Sequence, residues 1–152
     1  MLNFILLKAG NWTNLNEVIA QSTNGQYEFL SMQFIVGYVL SPLAWLLGVC
    51  PQDMALVAQL LGEKTILNEL IAFISLEEYI EAGAFAHEKS IVMATYILCG
   101  FANFSSVGIL IGGIGALAPG KRTMLSKLGI RALVGGTLAS LLSATIVGII
   151  MG

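Results

Sequence analysis

Residues 90–120, SIVMATYILCGFANFSSVGILIGGIGALAPG, run for thirty-one positions without a charged side chain, yet the middle of the run, Cys99-Gly-Phe-Ala-Asn-Phe-Ser-Ser-Val-Gly108, is polar and flanked by glycines. A helix that crosses a bilayer core needs about 20 apolar residues, and the run is long enough for one. Unwound backbone at that depth survives only where protein or a water-filled cavity covers the freed N–H and C=O groups. The stretch therefore reads as a broken membrane helix, with a site near Asn103.

The rest of the composition agrees with a membrane setting. Of 152 residues, 57% are hydrophobic and 11% charged, and the mean hydropathy is +0.85. Soluble domains carry roughly 25% charged residues, so an aqueous fold would expose too much apolar surface. A net charge of -2 leaves no basic field for nucleic acid, whose phosphates need clustered Lys and Arg. Cys50 and Cys99 lie in apolar runs without metal-ligand spacing and read as small core residues, with neither a metal nor a redox role.

Working outward, residues 1–28 read as a helix remnant at Met1 to Leu7 followed by a polar extramembrane loop with the turn formers Asn14, Asn24 and Gly25. Phe29 to Gln52 is free of charge but interrupted by Gly37, Pro42 and Gly48, with Tyr38 and Trp45 suited to the headgroup level. It either spans the bilayer or lies along its interface. Two arms, roughly residues 53–66 and 70–80, are each too short to span, which suits a re-entrant hairpin with Asn68 and Glu69 at its tip.

Residues 77–89 are mostly acidic, whereas the loop 119–131 holds Lys121, Arg122, Lys127 and Arg131 and no acid. The positive-inside rule places that basic loop in the cytoplasm. The charge-free segment Ala132 to Gly152 then reads as a last helix with its C-terminus outside. Its Gly135, Gly136, Ala139, Ser140, Ser143 and Ala144 offer small faces for close packing. The fold class expected is all-α and integral to the membrane: a re-entrant hairpin, a discontinuous transmembrane helix and a final transmembrane helix.

Glu69 is the sharpest single residue, since a lone carboxylate at the helix centre costs about 2.5–3.5 kcal/mol even on the lenient insertion scale. It either reaches water or pairs with Lys64 five residues earlier, or it serves as an acceptor for a ligand in a hydrated pocket. Asn103, Ser105 and Ser106 either glue helices together or, with Gly100 and Gly108 allowing the backbone to unwind, form the kind of site found at broken helices of secondary transporters. Phe101 and Phe104 flank Asn103. Gly108, Gly112, Gly113 and Gly115 suit a close helix crossing better than a phosphate loop. His87 sits in the acidic loop, and no paired carboxylates, Ser-His-Asp set or activated thiol is recognisable, so no catalytic residue and no enzyme activity is expected.

Three separated segments carry a resemblance: Gly37-Tyr-Val-Leu-Ser-Pro-Leu-Ala-Trp-Leu-Leu-Gly48, Gln59-Leu-Leu-Gly-Glu-Lys-Thr-Ile-Leu-Asn-Glu69 and Cys99-Gly-Phe-Ala-Asn-Phe-Ser-Ser106. In this order they resemble the concentrative nucleoside transporters, over about Tyr27 to Gly152, the carboxy-terminal part of such a protein. The resemblance implies a cation-coupled nucleoside symporter of the inner (plasma) membrane, trimeric, built of two inverted repeats with one hairpin and one broken helix apiece, this chain being one repeat. It makes residues 29–47 an interfacial helix, 53–80 the re-entrant hairpin, 90–117 the broken helix and 132–151 the last helix of a C-terminal domain spanning 29–152.

The same resemblance implies that Glu69, Asn103 and Ser106 bind the ribose and that Phe101 lines the pocket, with Asn68, Gly100, Ser105 and Gly108 in support. The substrates would be nucleosides of the uridine, cytidine and adenosine class, with membrane lipid around the protein. No covalently bound cofactor is implied, and the coupling ion, Na⁺ or H⁺, would bind in the half this chain lacks, together with the groups that select the base. Alone, the chain is expected to be inactive. The rival readings are a non-transporting membrane interaction subunit and a fragment of a transporter for another solute.

Overall fold

The computed structural model describes residues 2–22, 30 and 32–152. The turn formers Asn24 and Gly25 and the residues Tyr27 and Phe29 lie outside the described residues. Among those described, every regular element is helical: α1 Leu2–Trp12, α2 Leu15–Ser22, α3 Met32–Leu46, α4 Met54–Ile66, α5 Glu69–Glu81, α6 Glu88–Leu98, α7 Phe104–Leu117, a 3-10 turn Pro119–Lys121 and α8 Arg122–Ile150. Within the polar N-terminal stretch, α1 runs to Trp12 and α2 follows after Asn14, whose φ of 57° is a left-handed conformation that Asn tolerates.

Gly48, at φ 84°, and Pro51 turn the chain from α3 into α4, which pack side by side. The core lies where α4, α5, α6 and α8 meet: Val57, Leu60 and Leu61 of α4, Ala72 and Leu76 of α5, Met93, Ala94, Ile97 and Leu98 of α6, and Leu141 and Ala144 of α8. Gly148 lets α8 close on α6, because a Cβ there would stand 2.7 Å from the Met93 sulfur.

Two interruptions define the fold. The first falls at Leu67 and Asn68. There the backbone turns extended (φ -165°, ψ 170° at Asn68), and the Asn68 side chain accepts from the Ile71 N–H at 3.0 Å to start α5. The second falls at Cys99–Asn103, between α6 and α7, where Asn103 is likewise extended and its side chain accepts from the Ser106 N–H at 2.6 Å. An N-cap oxygen of this kind supplies one of the four N–H groups that a helix start leaves unpaired.

Two expectations are corrected. The basic stretch 119–131 is not a loop throughout, because only Pro119–Lys121 form a turn and α8 begins at Arg122, running 29 residues without a break. Its Lys, Arg, Leu and Ser residues are adequate helix formers, so the run of charges does not mark a helix boundary. At about 43 Å long, α8 exceeds a hydrocarbon core of about 30 Å. With the turn before it, it is the one stretch among the described residues, Pro119–Ile150, long and apolar enough to cross. Cys99 is exposed rather than part of the core, since it caps the C-terminal end of α6 just past the buried pair Ile97 and Leu98; Cys50 is half-buried.

The base of the α4–α5 pair is tied to α6 by Asp53. Although Asp53 sits at the N-cap of α4, its carboxylate, 1% exposed, accepts from the Ala86 N–H at 2.8 Å and the His87 N–H at 3.1 Å, at the start of α6. The His87 ring approaches the same carboxylate at 3.4 Å. A negative group at a helix N-terminus is favoured both by the unpaired N–H groups and by the macrodipole. Asp53→Ala is therefore expected to cost about 1–2 kcal/mol of thermal stability in detergent. His87→Ala, which keeps its backbone N–H, should cost less than about 1 kcal/mol; a larger loss from the histidine would contradict the assignment.

Candidate functional site

The two interruptions meet. Asn103, at the start of α7, donates from Nδ2 to Oε2 of Glu69, the first residue of α5, 34 positions away in the sequence. Asn103 is 1% exposed and bonded on both sides, its Oδ1 accepting from the Ser106 N–H and one Nδ2–H donating to the Glu69 carboxylate. Two helix N-termini, those of α5 and α7, converge at this bond, so the carboxylate lies in the positive field of both. Glu69 is half-buried, that environment favours its negative charge, and the carboxylate keeps further lone pairs that can accept from a ligand.

Glu69 does not use Lys64 as its partner. The Lys64 ammonium, 0% exposed, donates instead to the Ile97 carbonyl at 2.6 Å and to the Ser140 hydroxyl at 3.2 Å. Ser140 in turn donates to the Thr137 carbonyl at 2.9 Å. On the other face of α4, Gln59 donates to Glu63 at 2.9 Å and to the Tyr79 hydroxyl at 2.5 Å, joining α4 to α5.

The unwound segment 99–103 rests on α8. A Cβ on Gly100 would stand 2.8 Å from Cβ of Ser140, and one on Gly136 would stand 3.1 Å from Cβ of Ala102. Glycine at 100 thus serves close approach to α8. Gly108, by contrast, lies inside α7 with open space around it, as do Gly112 and Gly113; only Gly115 in that series meets a neighbour, the Arg122 side chain.

A groove of about 210 Å³ opens beside Asn103, lined by Gly100, Phe101, Ala102, Ser106 and Val107 on one side and by Leu133 and Gly136 of α8 on the other. Phe101 projects at its mouth, 76% exposed. Ser106 is half-buried on the lining, whereas Ser105 is exposed. Asn68 turns to its own helix start, as the cap of α5. Asn103 thus links Glu69 on one side to the Ser106 backbone on the other; Ser106 and Phe101 line the groove, Glu69 does not, and Ser105 and Gly108 lie outside the cluster. Among the described residues no group of three or more His, Cys, Asp and Glu side chains comes together to hold a metal.

Interrupted helices whose N-termini and short polar side chains converge are the design of secondary-transporter binding sites. The chain belongs to the family of Na⁺ dependent nucleoside transporters: residues 1–148 match the family model described as the C-terminus of these proteins. It is 43% identical to sodium/nucleoside cotransporter 1 of Rattus norvegicus over 80% of this chain and 20% of that protein. It is 39% identical to the nucleoside permease NupC of Helicobacter pylori (strain ATCC 700392 / 26695) over 82% of this chain and 30% of that one. A solved structure of a CNTnw double variant in an outward-facing state superposes with a TM-score of 0.84 at 32% identity, covering 100% of this chain and 34% of that one.

These relatives are transporters and not enzymes, and membership makes the chain part of a multi-pass membrane protein. The chain spans between a fifth and about a third of the length of the relatives it matches.

The two glycines separate packing from conformational freedom. Gly100→Ala forces the unwound segment off Ser140 and should cost about 1–3 kcal/mol, the usual range for overpacking. Gly108→Ala, in an open helical position, should be neutral or stabilising by up to about 1 kcal/mol. Thermal unfolding of the two variants in detergent checks both, and equal losses would contradict the distinction.

Proposed function

We propose that this chain is the C-terminal part of a cation-coupled nucleoside importer and forms the ribose side of its pocket. The observation that carries the reading is the direct bond from Asn103 to Glu69, which joins two helix interruptions at one polar point beside a groove. A ribose presents two adjacent hydroxyls. Glu69 accepts from them, the second N–H and second lone pair that Asn103 keeps beside its bonds to Glu69 and Ser106, together with the Ser106 hydroxyl, donate or accept, and Phe101 at the groove mouth offers an apolar face to the rest of the nucleoside. Uridine, cytidine and adenosine all carry that diol.

In this reading α4 and α5 form a re-entrant hairpin, α6 and α7 one discontinuous transmembrane helix, α8 the last span, and α3 a helix along the interface. The basic end of α8 faces the cytoplasm and the C-terminus faces outward. The full-length assembly sits in the plasma membrane as a trimer. The driving ion, Na⁺ or H⁺, and the base-selecting groups belong to the remainder of the protein. The identity of the rat relative as a sodium/nucleoside cotransporter supports the nucleoside and the sodium, and that of the Helicobacter relative as a nucleoside permease supports the nucleoside.

The test replaces the C-terminal third of the Helicobacter permease with this chain and measures uptake of radiolabelled uridine. Losing a hydrogen bond to a charged group costs about 1.5–3 kcal/mol, so Glu69→Gln should weaken uridine about 10- to 100-fold. Competition by 2′,3′-dideoxyuridine, which lacks the diol, should be weak at the outset and change little. Equal losses for both ligands would contradict a ribose role. The chain alone in liposomes should accumulate no uridine, and robust accumulation there would contradict the assignment of only part of the pocket to it.

A further inference from the structure

Lys64 is the largest fully buried side chain among the described residues, yet no part of the proposed sugar contact uses it. Its position has a specific geometry. Ile97 is the penultimate residue of α6, and in an unbroken helix its carbonyl would accept from the N–H of Phe101. The helix stops at Leu98, so that acceptor loses its partner, and the Lys64 ammonium takes the vacated place at 2.6 Å. A cation at the C-terminal end of a helix is also favoured by the macrodipole.

The same ammonium reaches Ser140 of α8 at 3.2 Å, and the unwound chain passes directly over it, with a Cβ on Gly100 falling 3.3 Å from Nζ. Lys64 and Glu69 stand on the two sides of the α4–α5 interruption, five residues apart. Lys64 holds the chain before the second interruption, at Ile97, and Glu69 holds it after, at Asn103.

We propose that Lys64 is a positioning residue of this site: its ammonium replaces the helical N–H at the Ile97 carbonyl, fixes the unwound segment 99–103, and so sets Asn103 against Glu69. The functional meaning rests on the reading of Glu69 and Asn103 as the sugar-facing pair, but the geometry is testable without any nucleoside.

The test labels the chain with [¹⁵N]asparagine in detergent micelles and follows the side-chain amide of Asn103, identified by its loss in Asn103→Ala. In Lys64→Met the Asn103 resonance should move to the position it takes in Glu69→Ala, where its acceptor is gone. A lysine that only stabilised the fold would lower the melting temperature and leave that resonance at its native position, and this result would overturn the proposal. Should Lys64→Met fail to fold, Ser140→Ala decides, because it removes one acceptor and keeps the charge. A smaller displacement in the same direction is expected, and an unmoved resonance overturns the proposal. Uridine uptake that fails while the Lys64 dependence holds would reject the substrate reading and leave the positioning role intact.

Discussion

Interrupting a helix strips partners from four N–H groups on one side and four C=O groups on the other, and those that are buried must find new partners within the protein. This chain does so twice within forty residues and supplies the partners from a small set of side chains. Asn68 and Asn103 cap the helices that restart and Lys64 takes a carbonyl at the end of α6, while Asp53, away from both interruptions, takes the Ala86 and His87 N–H groups just before α6. Asp53 and Lys64 are the two ends of α4. The negative residue meets the N-terminal pole of α6 and the positive residue its C-terminal pole. One helix thereby fixes both the position and the register of its neighbour.

That constraint generates the site. Once α4 is locked along α6, the interruption after α4 must lie beside the interruption after α6, and the helix starts on the far side, α5 and α7, point at each other. Glu69 and Asn103 meet there, and each answers the other's need for a partner. A sugar diol has the complement of donors and acceptors that can enter such a pair without stranding either member. A ligand lacking the hydroxyls leaves buried polar groups unpaired, which is the strongest form of rejection that a hydrogen-bonding site offers.

The two interruptions were legible because polar residues there disturb long apolar runs, and Asn68, Glu69 and Asn103 stand out by charge or polarity alone. The clamp was not legible. Lys64 reads in the sequence only as a possible partner for Glu69 five residues on, although Val57, Leu60, Leu61 and Lys64 follow the i, i+3, i+4, i+7 spacing of a single buried stripe. Asp53 reads as an ordinary helix start, and only the fold reveals that its oxygens serve another helix. Gly100 and Gly108 look equivalent in sequence, yet one meets Ser140 and the other meets nothing, because a glycine's role is set by what the fold brings to it. The basic residues of 119–131 mark a boundary in charge that the backbone ignores.

The account stands on Glu69 and Asn103 acting as one unit toward the sugar. A double-mutant cycle on uridine affinity, with Glu69→Gln, Asn103→Ala and the pair in the same chimeric permease, measures this most directly. The account predicts that the double variant loses far less than the sum of the single losses, with a coupling of about 1 kcal/mol or more. Losses that add to within about 0.5 kcal/mol would mean that the two residues act independently and would contradict a shared ribose site.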